Sequence, residues 1–150
     1  MIQAITETEI KINVQTEDNR INTSVASTQI RHLVKFTNDL DKSVYYAYGV
    51  SETIKDRYTN INISYSATPN TYTGLVKLFP AGYYKYEIYE VSWIGTVTVS
   101  SGNAPATEND VLSPVADTKG VVQGLVTKGK MNLSEKDGTQ QVQYTQREAP

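Results

Sequence analysis

The sequence predicts an all-β fold, a two-sheet antiparallel sandwich, and three observations carry that prediction. Apolar residues recur with a period of two in one segment after another, as in EIKINVQ at 9–15, where Ile10, Ile12 and Val14 share a face; this period marks a half-buried strand. Turn-forming clusters, TEDNR at 16–20, TNDLDKS at 37–43 and SATPN at 66–70, interrupt these segments at short, regular spacing, which is the punctuation of sandwiches and small barrels. No stretch carries an apolar stripe at helical spacing long enough to sustain a helix.

After the first strand, IRHLVKF at 30–36 sets Ile30, His32, Val34 and Phe36 on one side, and VYYAYGV at 44–50 does the same with Val44, Tyr46, Tyr48 and Val50. SETIKDRY at 51–58 is the one segment expected to make a helical turn. RYTNINISY at 57–65 alternates Thr59, Ile61, Ile63 and Tyr65 against polar neighbours, and TYTGLVKLF at 71–79 resumes the pattern up to Pro80. Residues 83–93 then read as one long strand carrying Tyr83, Tyr84, Tyr86, Tyr89 and Trp93, and IGTVTVS at 94–100 as the last of seven. A β-bulge near Ile88 or Tyr89 is one way to turn both faces of the long strand inward.

Past Ser100 the texture changes. SGNAPATENDVLSPVADTKG, residues 101–120, has two prolines, two glycines and little apolar periodicity, and reads as a linker or long loop. VVQGLVTKGKMNLSE at 121–135 and TQQVQYTQ at 139–146 look like strands joined at Asp137-Gly138, a dipeptide suited to a hairpin turn. The expected organisation is a sandwich over 1–100, a loop over 101–120, and an extended β tail or hairpin over 121–150. A lone hairpin is marginal in water, so the tail is expected to add to the sandwich's edge or to another chain.

The charge pattern narrows the partners. The formal net charge is −2, the sequence pI is about 5.4, and acids and bases are interspersed; a nucleic-acid binder would show a basic stripe, so no nucleic acid is expected. There is no cysteine, hence no disulfide, thiolate nucleophile or cysteine-based metal site, which fits assembly in a reducing cytosol. The N-terminus has no basic and apolar leader, and no apolar run approaches the roughly 20 residues that cross a bilayer, so no membrane partner is expected.

Chemistry-bearing constellations are sparse, and the expectation is no enzyme, with no catalytic residues, no cofactor and no metal. The single histidine, His32, shares a face with Ile30, Val34 and Phe36, which suits a hydrogen-bonded, partly buried imidazole better than a catalyst. No G-x-S-x-G elbow occurs. Asp39, Asp41 and Ser43 alternate as a calcium loop begins, but Val44 and Val50 occupy the places of the required Gly and Glu, leaving an Asx-bonded turn. Gly120, Gly124 and Gly129 lack phosphate-loop spacing and suit strand bends or close backbone approach. Sequons at Asn22, Asn62 and Asn132 carry little meaning in a chain so rich in Asn, Ser and Thr.

AGYYKYEIYEV places Gly82, Tyr84 and Tyr86 at alternate positions after a proline, which resembles the start of strand F in immunoglobulin-like and fibronectin-like sandwiches. That resemblance implies a corner tyrosine at Tyr84, its hydroxyl bonded to upstream backbone, and puts Tyr86 where antibody domains have cysteine. Trp93 lies at the far end of the strand instead of on an earlier one, so the likeness is to the general architecture. The segments PAGYYKYEIYE, LVTKGKMNLSE and VQYTQREAP also resemble small structural proteins of tailed-bacteriophage virions. What this implies is a non-enzymatic capsid auxiliary, decoration or head-to-tail (neck) protein, assembled in the host cytoplasm into the virion. Its partners would be capsid, portal or neck subunits, and it would be a homo-oligomer or lattice-bound. The competing expectation is a carbohydrate-binding or adhesive Ig-like module, using the Tyr83, Tyr89 and Trp93 face.

Overall fold

The computed structural model describes residues 1–16, 20–55, 58–113 and 116–135. Among the described residues nine strands form in order: β1 (Ile2–Ile5), β2 (Ile10–Val14), β3 (Ile30–Asn38), β4 (Val44–Tyr48), β5 (Ser51–Ile54), β6 (Thr59–Tyr65), β7 (Leu75–Val76), β8 (Gly82–Ser92) and β9 (Val121–Ser134). A short 3-10 turn, Ser27–Gln29, precedes β3. One sheet has the order β1-β9-β8-β3-β4; the other is β2-β6-β5, with β7 beside β6. β1 runs parallel to β9 and β7 parallel to β6, while the remaining pairs are antiparallel.

The alternation in sequence becomes the interior of an all-β sandwich. β2 buries Ile10, Ile12 and Val14 and exposes Lys11 and Asn13; β6 opposes it with buried Thr59, Ile61 and Ile63. From the other sheet Ala4, Val34, Phe36, Ala47, Tyr84, Ile88, Met131 and Leu133 close the same core. β-branched and aromatic side chains suit this surface because they pack well on a pleated sheet. Removing them from water supplies about 25 cal/mol for each Å² of apolar area.

Four expectations change. Residues 121–134 are not an appendage: β9 pairs with β8 from Gly82↔Leu133 to Ser92↔Val121 and holds β1 on its other side, so the sandwich extends well past residue 100. Val126, Met131 and Leu133 of this strand are buried in the core between the sheets, while Val121 and Leu125 stay exposed. The Asp137-Gly138 turn and the segment 139–146 lie outside the described residues. Ser51–Ile54 is strand β5, not a helical turn, because it pairs with β6. TYTGLVKLF supplies only the two-residue β7, and residues 94–100 form bends and irregular backbone instead of a strand.

Residues 101–113 and 116–120 also differ from a free linker. With 93–100 they fold back over the outer face of the five-stranded sheet and build a second core from Leu33, Tyr48, Val91, Trp93 and Ala104. Both faces of β8 are therefore covered toward Val91, while Tyr83 near its start stays exposed. The register between β8 and β9 does shift between Ile88 and Tyr89, and again between Glu90 and Val91. The residues at which the register skips, Val126 and Gln123, belong to β9, so Trp93 is buried by the returning loop and not by a bulge in β8.

Candidate functional site

His32 is buried on the inner face of β3, and its Nδ1 lies 2.7 Å from Oε1 of Glu52 on β5. The backbone N–H of His32 donates to the other Glu52 oxygen at 3.0 Å, so this pair ties the two sheets together. Opposite His32 on β8, the buried Glu90 carboxylate accepts the N–H groups of Ile21 (3.0 Å) and Asn22 (2.7 Å). Asn22 Nδ2 and Gln123 Nε2 both donate to Ser92 Oγ. Hydrogen bonding satisfies groups whose burial would otherwise cost about 1–3 kcal/mol each. The arrangement anchors the chain crossing from β2 to β3, and its histidine and glutamates line neither the cleft beside Phe79 nor the one between Glu108 and Val122.

The polar side chains at the end of β3 and in the turn after it spend their oxygens on bonds within the fold. Asn38 Oδ1 accepts from the N–H groups of Leu40 and Asp41, and Asp41 Oδ1 accepts from Ser43 Oγ (2.7 Å) and Ser43 N (3.0 Å). Those Ser43 bonds hold the Asp41 carboxyl below its ordinary value. Asp39 pairs with Lys130 at 2.7 Å. Among the described residues no three His, Asp or Glu side chains converge as a metal site would require. The sequon asparagines are engaged within the fold: Asn62 Nδ2 donates to Ser51 Oγ at 3.0 Å, and Asn132 Nδ2 reaches Gln3 Oε1 at 3.3 Å.

The three glycines serve close packing and backbone freedom. A Cβ on Gly120 would lie 2.7 Å from the Trp93 ring, and one on Gly129 would lie 2.5 Å from the Tyr86 hydroxyl. Gly124, where β9 changes register, has a φ of 150°, which L side chains rarely adopt.

On the outer face, Glu108 from the returning loop accepts Lys35 Nζ at 2.8 Å and the Tyr46 hydroxyl. Tyr48 donates to the Pro105 carbonyl at 2.5 Å, and Trp93 Nε1 to the Thr118 carbonyl at 3.2 Å. Burial pushes the phenols of Tyr46, Tyr48 and Tyr89 upward, Tyr89 to about 12 with nearby Glu87 contributing. Burial alone would raise the Glu108 carboxyl, but the hydrogen bonds from Lys35 and Tyr46 outweigh it and lower the value. Of the aromatic face expected to meet a ligand, Trp93 is sealed, Tyr89 is half-buried, and Tyr83 alone stands open.

The accessible surface with the most structure behind it is the opposite pole, where β1 turns into β2 and β7 leads into β8. A cleft of about 560 Å³ lies there, walled by Thr6, Glu7, Tyr65, Lys77, Phe79 and Glu135 among others. The Phe79 carbonyl accepts the Tyr45 hydroxyl at 2.6 Å, and the Pro80 carbonyl accepts the Tyr84 hydroxyl at 2.6 Å. The bond from Tyr84 is the corner contact anticipated from AGYYKY. Although its backbone is held on both carbonyls, the Phe79 residue remains 70% exposed. Nearby, Asp39 N–H donates to the Tyr83 carbonyl at 3.0 Å, joining the strand carrying Tyr83, 55% exposed, to the turn carrying Leu40, 88% exposed. Sequence reasoning missed Leu40 and Phe79, since alternation reports which side chains are buried in strands and says nothing of apolar residues displayed on turns.

No protein-family model, curated protein or solved structure matches the chain.

Proposed function

We propose that the protein is a non-enzymatic structural component of a tailed-phage virion, a capsid auxiliary or neck subunit with Ig-like connectivity that acts by surface packing. The observation that carries this reading is the display of Leu40 on a turn fixed by its own hydrogen bonds. Asn38 Oδ1 holds the N–H groups of Leu40 and Asp41, and Asn38 N–H donates to the Ser43 carbonyl at 2.9 Å. Exposed apolar groups held rigidly lose little conformational freedom on docking, which favours a contact point between subunits. The segment resemblances support the same class.

Strand addition through 121–134 is not part of the proposal, because that strand is paired on both sides near its end. The partners are capsid, portal or neck subunits, or further copies of this chain. The test is recovery of the protein in purified particles from the encoding phage, followed by Leu40→Asp. The substitution should leave the monomer's melting temperature unchanged and lower its copy number in particles at least about tenfold, as loss of a central anchor does. Absence of the wild-type protein from particles, or full incorporation of the variant, defeats the reading.

A further inference from the structure

The cleft beside Phe79 has the composition of a ligand site, independently of any role in assembly. We propose that it binds a neutral oligosaccharide, with the Phe79 ring as the platform on which a pyranose stacks. Three observations converge on this class of ligand.

The first is shape. About 560 Å³ is room for several sugar-sized groups, inside the roughly 300–1,000 Å³ typical of small-ligand clefts. The walls come from four separate parts of the chain: the β1–β2 turn (Thr6, Glu7), the end of β6 (Tyr65), the β7–β8 connection (Lys77, Phe79) and the residue after β9 (Glu135). Loops that converge at one end of a rigid sandwich are where such scaffolds place recognition.

The second is the platform. Phe79 is largely exposed, yet its backbone is fixed by the Tyr45 bond to its own carbonyl and the Tyr84 bond to the next. An aromatic face offered to solvent on an anchored backbone gives up little freedom when a ligand covers it. Tyr65 stands in the same cleft, at the end of a strand held between β2 and β5 over its earlier residues.

The third is charge. Glu135 accepts hydrogen bonds and Lys77 donates them. A sugar hydroxyl is itself donor and acceptor, so it suits this mixture. A carboxylate beside an ammonium gives neither the cluster of cations an anionic ligand needs nor the uniformly acidic wall that selects a cation.

The test uses saturation-transfer difference NMR on the full chain with cellotriose, maltotriose and chitotriose as probes. At least one should receive transfer from aromatic protons, and Phe79→Ala should weaken its binding about tenfold, the upper range for an aromatic contact. Tyr83→Ala, which removes an exposed aromatic outside the cleft, should leave binding unchanged; near-ultraviolet circular dichroism and melting temperature establish that both variants are folded. Transfer to none of the three probes, or binding that survives Phe79→Ala, overturns the proposal. Equal loss with Tyr83→Ala overturns it too, because it places the sugar elsewhere. Failure here leaves the assembly role standing, since that role is read from Leu40 and particle incorporation.

Discussion

The molecule has two cores, and they are built by different rules. The inner core, between the sheets, is made of Ile10, Ile12, Val34, Phe36, Ile61, Ile63 and Ile88, with Tyr84 and Tyr86 as its principal polar-tipped members. The outer core, between the five-stranded sheet and the loop that returns over it, gathers Leu33, Tyr48, Val91 and Trp93 with half-buried Tyr46, Tyr72 and Tyr89. Side chains from both sheets interlock in the first. The second depends on a loop whose position is set by directional bonds, Tyr48 to Pro105, Trp93 to Thr118 and the Glu108 pair. A core made by packing is expected to fail together with the fold, whereas a core made by latching can open alone.

The largest effect that separates them is expected from Phe36→Ala. Phe36 is fully buried between the sheets and lies in the strand flanked by β4 and β8. Its truncation should cost about 3–5 kcal/mol through lost transfer energy and the cavity left behind. Denaturant unfolding should show one cooperative transition at lower midpoint by both far-ultraviolet circular dichroism and Trp93 fluorescence. Two separated transitions would mean that the inner core does not support the outer.

Gly120→Ala probes the converse at smaller cost. The added Cβ would meet the Trp93 ring at 2.7 Å and Val91 Cγ1 at 3.0 Å, so the loop must move outward. Overpacking of this kind costs about 1–3 kcal/mol. Amides of residues 101–113, including Asn103 and Ala104, which bond Ser100 O, should exchange faster, while those of β3 and β8 keep their protection. Uniform loss of protection across β3, β8 and the loop would show one core, not two.

The same difference explains what was legible in the sequence. Ile10, Ile12 and Val14, or Ile61 and Ile63, alternate with polar residues because one face of their sheet meets the core and the other meets water. Period two reports that arrangement directly. Sheet positions along β8 are covered on both faces, Ile88 toward the inner core and Val91 and Trp93 toward the outer, and alternation cannot tell a covered face from an exposed aromatic one. The loop that does the covering is rich in Pro, Gly and small residues, the composition of a linker, and its attachment rests on single residues, Ala104, Glu108 and Gly120, with no periodic signal. β9 reads as a strand that joins the sandwich's edge or another chain, but the sequence leaves the choice open for a related reason: its mate β8 lies far back, and only the pairing reveals that Met131 and Leu133 complete the core. Tyr84 was legible because a corner tyrosine leaves a local pattern. Phe79 was not, because its pinning bonds come from Tyr45 and Tyr84, one of them from a distant strand.

The smallest expected effect is a pH dependence of the latch, and its sign follows from Glu108. The carboxyl is lowered from the ordinary value of 4.5 because the bonds from Lys35 and Tyr46 outweigh burial. A group whose folded value is depressed contributes stability above its unfolded value and loses it as pH falls through the folded one. The latch should therefore hold at pH 7 and weaken below pH 4.5. Because the pair is partly solvated, the contribution is modest, within the range up to about 1 kcal/mol for such pairs. Trp93 is the chain's sole tryptophan and lies beneath the loop, so its emission should shift to longer wavelength on acidification before the strand signal at 218 nm, a wavelength used as a monitor of sheet content, changes. Glu108→Gln keeps one acceptor oxygen of the two that Lys35 and Tyr46 use, has no titrating carboxyl, and should remove that early shift. Persistence of the shift in the variant would assign the acid sensitivity to another group and leave the outer core held by Tyr48 and Trp93 alone.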